Sequence, residues 1–369
     1  MSTEILTELR DRAAFKPKPP DYELALAHVP LTTVGLPNPI EDRVGGAMRA
    51  DDETFVLIVA PPGGGKSSLL AWAAGEASCH PDPPHVLPVY VPVGHHTAAI
   101  TPDLIVRGVA ENVAFKLAPN LKKREREELE KALSITIAST RAPSGLRAKL
   151  SLPPVHGLSA ELAGELGGDF VTLMKAGGWQ RGPQVGLVSL ADLARAKRAH
   201  LVVIVEDTDI WSAGDENMAR RAADFFTAVR SLLGCPDVTL LAAVQSHWAD
   251  THQLGHRGKN TAAARLQFKE LSDRAGRVLH VPTPAGHDHA RTLVRMVLER
   301  RIEITLDGPA PTGGWCAAVF SDDAIELLGR RCLDRSVRQC LTDVRDTFDH
   351  HDVLPERIER DHVVEAMSA

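Results

Sequence analysis

The sequence predicts an α/β protein, with a mostly parallel central sheet flanked by helices and an all-helical C-terminal segment. Three observations carry this reading. Apolar, β-branched runs at 55–59, 201–205 and 238–244 lack the alternation of a half-exposed strand. They read as strands buried on both faces. Segments with apolar residues at helical spacing separate them. After about residue 301 the strand signal stops, and three helical patterns follow near 322–333, 336–350 and 355–367.

Taken in order, residues 1–33 read as an N-terminal arm or linker. They hold a short amphipathic opening and the Pro-rich stretch Lys16-Pro17-Lys18-Pro19-Pro20. Residues 34–301 form the expected α/β core, and 302–369 the helical segment. Residues 85–93 are β-branched but carry Pro88 and Pro92, which places them on a sheet edge or in an irregular strand. The spacing of Leu104, Ile105, Val109, Val113 and Leu117 predicts a helix over 102–117. Residues 122–137 start as a strongly charged helix with a solvated face. Residues 158–174 have helical character broken by Gly167-Gly168, 179–186 read as a Gly/Pro turn, and Ser189 is a candidate N-cap for a helix over 189–200. Further helices are expected over 217–233, 260–271 and 284–301, and a short strand at 278–281.

A chain of 369 residues suits two domains, or one large domain with a lid. The net charge of −6 argues against a surface built wholly to coat nucleic acid, while permitting a local basic patch. None of the five cysteines forms C-x-x-C, so neither a zinc ribbon nor a disulfide framework is expected. Cys332 and Cys340, in a helical stretch, read as core thiols. The histidines, including His95-His96 and His350-His351, show no metal-ligand spacing. The opening MSTEILTELRDR lacks the apolar core of a signal peptide, and no run of 18 apolar residues exists. A cytoplasmic protein without membrane contact is the expectation.

The most informative stretch follows the first strand. Ala60-Pro61-Pro62-Gly63-Gly64-Gly65-Lys66-Ser67-Ser68 lies between an apolar strand and an apolar helix, the layout of a phosphate-binding P-loop. Small residues let consecutive backbone N–H groups curl around a β-phosphate. The following helix aims its positive end at the same phosphates. Lys66 would reach the β- and γ-phosphates, and the Ser67 hydroxyl would ligate Mg²⁺. Ala60 stands where the motif has its first glycine, a mild change at the strand's end. The implied ligands are ATP and Mg²⁺.

The strand at 201–205 ends in Glu206-Asp207-Thr208-Asp209. Acids at the carboxyl end of a buried parallel strand sit where open α/β sheets bind ligands. The pattern looks like a Walker B motif with its usual Asp-Glu order reversed. By position Glu206 would hold the Mg²⁺ shell and Asp207 would polarise the attacking water, with the roles open to sharing or exchange. Asp209 would be a further acid nearby. The reversed order leaves a slow switch as compatible as a fast motor. Gln245, ending the next strand, is placed to hydrogen-bond the γ-phosphate or the lytic water.

This order of P-loop, acidic strand, polar-tipped strand, further strand and helical lid resembles the AAA+ ATPases. Within them it looks most like the initiator and helicase-loader group (origin-recognition-like) and the STAND-type switch ATPases. The resemblance covers roughly residues 35–365. It implies an arginine finger at Arg274, in Asp273-Arg274, reaching a neighbour's nucleotide. It implies a sensor arginine at Arg338, in Arg335-Ser336-Val337-Arg338, reading the nucleotide of its own chain. A guanidinium at these positions would stabilise charge spread over the γ-phosphoryl oxygens. Homo-oligomerisation with ATP follows from the finger. Lys66 and Glu206 lie about 140 positions apart, far more than the roughly 30 residues of a βαβ unit. An insertion is therefore expected within 118–197.

The functional expectation is a Mg²⁺-dependent ATPase switch regulating a DNA transaction, as a loader, initiator or transposition regulator. Basic clusters at Arg195/Lys197/Arg198, Arg257/Lys259 and Arg300/Arg301 accord with DNA. The alternative is the ATPase subunit of a multi-protein system, such as phage defence, acting through effector protein subunits without binding DNA. A third reading, less favoured by the helical tail and arginine pattern, is a small-molecule P-loop kinase.

Overall fold

The computed structural model describes residues 2–16, 21–34, 40–50, 55–79, 85–94, 99–134, 160–177, 181–206, 208, 211, 215–249, 258–306 and 309–368. The chain opens with helices α1 (Ser2–Asp11), α2 (Asp21–Leu26) and α3 (Ile40–Arg49). Strand β1 (Phe55–Ala60) and helix α4 (Lys66–Ser78) flank the glycine-rich loop. Next come β2 (His85–Pro92), α5 (Pro102–Leu117), α6 (Lys123–Leu133), α7 (Ala160–Lys175) and α8 (Pro183–Ala196). Strand β3 (Ala199–Glu206), α9 (Glu216–Ser231), β4 (Val238–Gln245), α10 (Lys259–Ser272) and β5 (Arg277–His280) follow. The C-terminal helices are α11 (His287–Thr305), α12 (Trp315–Val319), α13 (Asp322–Asp334), α14 (Val337–His350) and α15 (Arg360–Ser368). No described helix is long and apolar enough to cross a membrane.

The chain divides into two compact units. One comprises Met1–Arg43, Ala60–Trp72 and His280–Ala369; the other comprises Val44–Val59 and Ala73–Leu279.

The second unit is built on a parallel five-stranded sheet in the order β2-β3-β4-β1-β5. Leu87 lies opposite Leu201, and Leu201 opposite Val238. Every residue of β1, β3 and β4 is buried, which is why these runs carry no polar alternation. Strand β2 stands at an edge, where Pro88 and Pro92 leave no second neighbour short of a ladder donor. Helices α5, α7, α8 and α9 share one core with the sheet, including Val109, Phe170, Leu190 and Phe225.

Two local expectations change. Helix α7 runs unbroken through Gly167-Gly168. A side chain at Gly167 would sit 2.5 Å from Leu121 Cδ2, so the glycine serves close packing and not a break. Helix α8 starts at Pro183, six residues ahead of Ser189. Proline suits a first helical turn because its missing N–H is not needed there. Ser189 is therefore interior, and its hydroxyl donates to the Val185 carbonyl at 2.8 Å.

The first unit joins the N-terminal helices to α11–α15. Leu6, Leu9 and Phe15 are buried. The Phe15 ring lies 5.9 Å from Phe320 and 5.3 Å from Phe348. Arg12 donates to the Thr305 carbonyl at 2.7 Å, and Arg300 to the Leu26 carbonyl at 2.7 Å. The opening residues are thus docked on the C-terminal helices. The buried Glu41 accepts from the Leu31 N–H at 2.7 Å and faces His28 Nε2 at 3.3 Å. Burial pushes its carboxyl up, but the bonds from His28 and Leu31 outweigh that and hold it below the usual range.

Phe15→Ala should lower stability by about 3–5 kcal/mol in chemical denaturation, the usual loss for a fully buried ring. Docking of the segment that follows α1 requires that cost, and an unchanged midpoint would show that Phe15 does not pack there. Glu41, with its lowered native pKa, contributes stability that is present above its unfolded value near 4.5 and is lost as pH falls through the native value. Stability measured against pH should show this acid limb in the native chain, and Glu41→Gln should flatten it.

Candidate nucleotide-binding site

In the first unit, the glycine-rich loop is shaped by three close constraints. Gly63 and Gly65 have φ of +70° and +83°, a left-handed backbone that other residues adopt only at a cost. The Gly64 N–H donates to the Pro61 carbonyl at 3.0 Å, and a side chain at Gly64 would meet that same oxygen at 3.0 Å. Pro62 and Gly65 are exposed at the tip. Helix α4 starts at Lys66, so its N-terminal N–H groups, which have no helical carbonyl a turn before them, continue the loop.

Lys66 is 5% exposed. Its Nζ donates to the carbonyls of Ala60 at 3.3 Å and Pro61 at 3.2 Å, across the mouth of the loop. Ser67 is half-buried on the first turn of α4, and the Ser68 hydroxyl donates back to the Gly65 carbonyl at 2.9 Å. The loop therefore gathers a buried ammonium, left-handed glycines and a helix N-terminus around one small space, the donor set that suits phosphate oxygens.

The same unit brings α14 to this loop. A side chain at Gly63 would lie 2.7 Å from Ser336 Oγ and 2.9 Å from Arg338 Cβ. Ser336 is the N-cap of α14 and accepts from the Gln339 N–H at 3.2 Å. Arg338 follows on the first helical turn and is half-buried. Arg331 of α13 pairs with Asp343 at 3.0 Å, and Gln339 donates to Asp343 at 2.9 Å, which fixes the α13–α14 turn. The sequence motif drew attention to Arg338; the part of Ser336 was missed. The serine's place between two arginines, opening a helical pattern, is the signal that marks it as a cap.

In the second unit, Glu206 ends β3 with 5% exposure, and its carbonyl accepts from the Val93 N–H at 3.0 Å. Asp207 and Asp209 lie outside the described residues. Gln245 ends β4 with 2% exposure, and its Nε2 donates to the Thr208 carbonyl at 2.7 Å. The Thr208 hydroxyl donates to the Ala243 carbonyl at 3.0 Å. These bonds tie the end of β4 to the segment after Glu206. Gln245 is thus placed to position that segment, a role the sequence did not suggest. Because the strands run parallel, the carboxyl ends of β1, β3 and β4 share one edge of the sheet. Arg274 is exposed just after α10.

The basic clusters are less available than their sequence implies. Arg195 pairs with Asp237 at 2.5 Å and Lys197 with Asp169 at 3.2 Å. Arg301 is 4% exposed, and Arg300 bonds both Leu26 and Glu303. Arg257 lies outside the described residues.

A glycine loop between β1 and α4 of a parallel sheet defines a P-loop α/β fold with a C-terminal helical segment. No protein family matches the sequence, and no curated protein does. Among solved structures, the chain is similar to the Aeropyrum pernix ORC1 protein in complex with DNA, at 15% identity and a TM-score of 0.42, over 91% of this chain and 68% of that one. It is also similar to the Aeropyrum pernix ORC2 protein with ADPNP and ADP, at 14% identity and a TM-score of 0.46, over 89% of this chain and 66% of that one. Drosophila ORC bound to DNA matches at 12% identity and a TM-score of 0.41, over 95% of this chain and 66% of that one. The chain spans about two thirds of the length of these proteins. At such identities the likeness assigns no residue a role.

Gly63→Ala should weaken binding of a fluorescent ATP analogue at least about tenfold, because it adds both left-handed strain and a collision with Ser336 and Arg338. Gly45→Ala, whose new Cβ meets nothing within 4 Å, is the matched control and should leave binding unchanged. Equal effects of the two would mean that the loop's shape does not matter.

Proposed function

We propose that this chain is a Mg²⁺-dependent, ATP-binding and ATP-hydrolysing switch of the AAA+ type, which assembles with ATP into a homo-oligomer and regulates a transaction on DNA. The observation that supports it most is the convergence of the glycine loop, Lys66 and the start of α14 within one unit. A loop that only bound nucleotide would not need a helical lid resting on its first glycine.

In this reading the backbone N–H groups of Gly63 to Lys66 surround the β-phosphate. Lys66 gives up its two carbonyl partners for β- and γ-phosphate oxygens. Ser67, Glu206 and Asp207 are the residues that would hold Mg²⁺ through their oxygens. When bound, Mg²⁺ neutralises charge developing on the phosphate oxygens. Glu206 or Asp207 orients water, with Gln245 holding the adjoining segment in place. Arg338 senses the phosphates in its own chain. The exposure of Arg274 leaves it able to reach a neighbour's nucleotide.

The ion pairs that occupy Arg195 and Lys197 favour a second reading, in which the switch acts on effector protein subunits without DNA. ATP turnover with and without duplex DNA separates the two. Stimulation that falls steeply with salt supports DNA; ATP-dependent assembly with no DNA effect supports the protein-partner reading.

Lys66→Ala should reduce ATP turnover by about 100-fold or more. Undiminished turnover would refute the nucleotide site. Asp207→Asn should bind ATP normally and hydrolyse it slowly. Arg274→Ala should spare binding but lose turnover by about 10³-fold at protein concentrations where the native chain assembles. An equal loss at every concentration would argue against action across subunits.

A further inference from the structure

Cys332 on α13 and Cys340 on α14 have no place in the proposed nucleotide chemistry. Both are buried, at 5% and 2% exposure. Cys340 Sγ lies 3.1 Å from the Leu328 carbonyl, one helical turn before Cys332 on the facing helix. Each thiol is shifted chiefly by the other, which sets the two against each other across the helix crossing. The Arg331–Asp343 pair at 3.0 Å clamps the same helix crossing, and Gln339, one turn before Asp343 on α14, holds that carboxylate at 2.9 Å. Between the two cysteines runs the turn that carries Ser336 and Arg338 against Gly63.

We propose that Cys332 and Cys340 form an oxidisable dithiol, converted by a hydroperoxide into an intramolecular disulfide that fixes the turn bearing Ser336 and Arg338. The chemistry proceeds in two balanced steps. The Cys332 thiolate attacks the peroxide O–O bond, forming a sulfenic acid, and the departing oxygen takes a proton and leaves as water or alcohol. The Cys340 sulfur then attacks the Cys332 sulfur. The S–S bond forms, the S–O bond breaks, and the Cys340 proton leaves with the hydroxide as water. The peroxide is reduced by two electrons and the thiol pair oxidised by two. The thiols divide these tasks by environment. Contact with Cys340 lowers the Cys332 thiol against the opposing effect of burial, while the same contact and burial raise Cys340. A lowered thiol is the one that reacts first. Formation of the bond stands independently of the proposed function; its effect on nucleotide rests on that reading.

The test uses the full chain with Cys79→Ser, which removes the exposed cysteine. After hydrogen peroxide, alkylation and peptide mass mapping, the expected product is a Cys332–Cys340 linked peptide that dithiothreitol reverses. Cys316, buried and pushed up to about 12 chiefly by that burial and then by Glu299, should remain alkylatable on unfolding. Adding Cys340→Ser should trap Cys332 as a sulfenic acid that reacts with dimedone. Both thiols still alkylatable after peroxide, or no dimedone adduct in the serine variant, would overturn the site. Release of a bound ATP analogue should then slow about fivefold or more in the oxidised protein and recover on reduction. Unchanged release from linked protein would overturn the coupling to the turn. A reduced protein that binds no ATP would instead refute the proposed function and leave the disulfide standing.

Discussion

The approach of α14 to Gly63 is the constraint on which the first unit depends. A hydrogen is the only side chain that fits between this loop and Ser336 and Arg338. That single absence permits the left-handed turn, the retention of Lys66 over the loop's carbonyls and the seating of a capped helix beside the loop's N–H groups. Two helix N-termini, those of α4 and α14, thereby face one small loop, and each favours negative charge. A ligand bearing phosphates would engage both. Anything that moves α14 must then alter how the loop holds its ligand. The packing of Phe15, just after α1, against Phe320 and Phe348 ties the opening residues to the same unit.

In the second unit the organising constraint is different. Three fully buried parallel strands demand apolar runs until the chain leaves the sheet, and polarity returns at Glu206 and Gln245. Both are buried, so each needs a partner or a task. Gln245 spends its amide on the Thr208 carbonyl, which makes the end of β4 a brace for the segment following Glu206. A brace of this kind fits a site whose acids must be held still.

The strands and the glycine loop between β1 and α4 were legible because each has a local cause. A strand buried on both faces cannot carry polar alternation, and a loop of backbone N–H groups cannot tolerate side chains at Gly63 and Gly65. What stayed hidden was set by residues far apart in the chain. The amphipathic pattern of α1 reads the same whether the helix is docked or free, and Phe15, in the turn after it, gave no sign of its place beside two aromatic rings. Gly167-Gly168 looked like a break because the partner that requires Gly167, Leu121, lies in another element. Pro183 looked like part of a turn, although it opens a helix. Arg195 and Lys197 looked like a surface for nucleic acid until Asp237 and Asp169 proved to face them. Asp207 lies outside the described residues, and its role rests on chemistry alone.

The central claim is that nucleotide at the glycine loop is read by the start of α14. Hydrogen exchange at the amides of Val337 to Cys340, with and without a slowly hydrolysed ATP analogue, tests it most directly. The account predicts slower exchange at these amides on binding, and loss of that protection in Arg338→Ala while the analogue remains bound. Binding of the analogue with no change in exchange at α14 would contradict it.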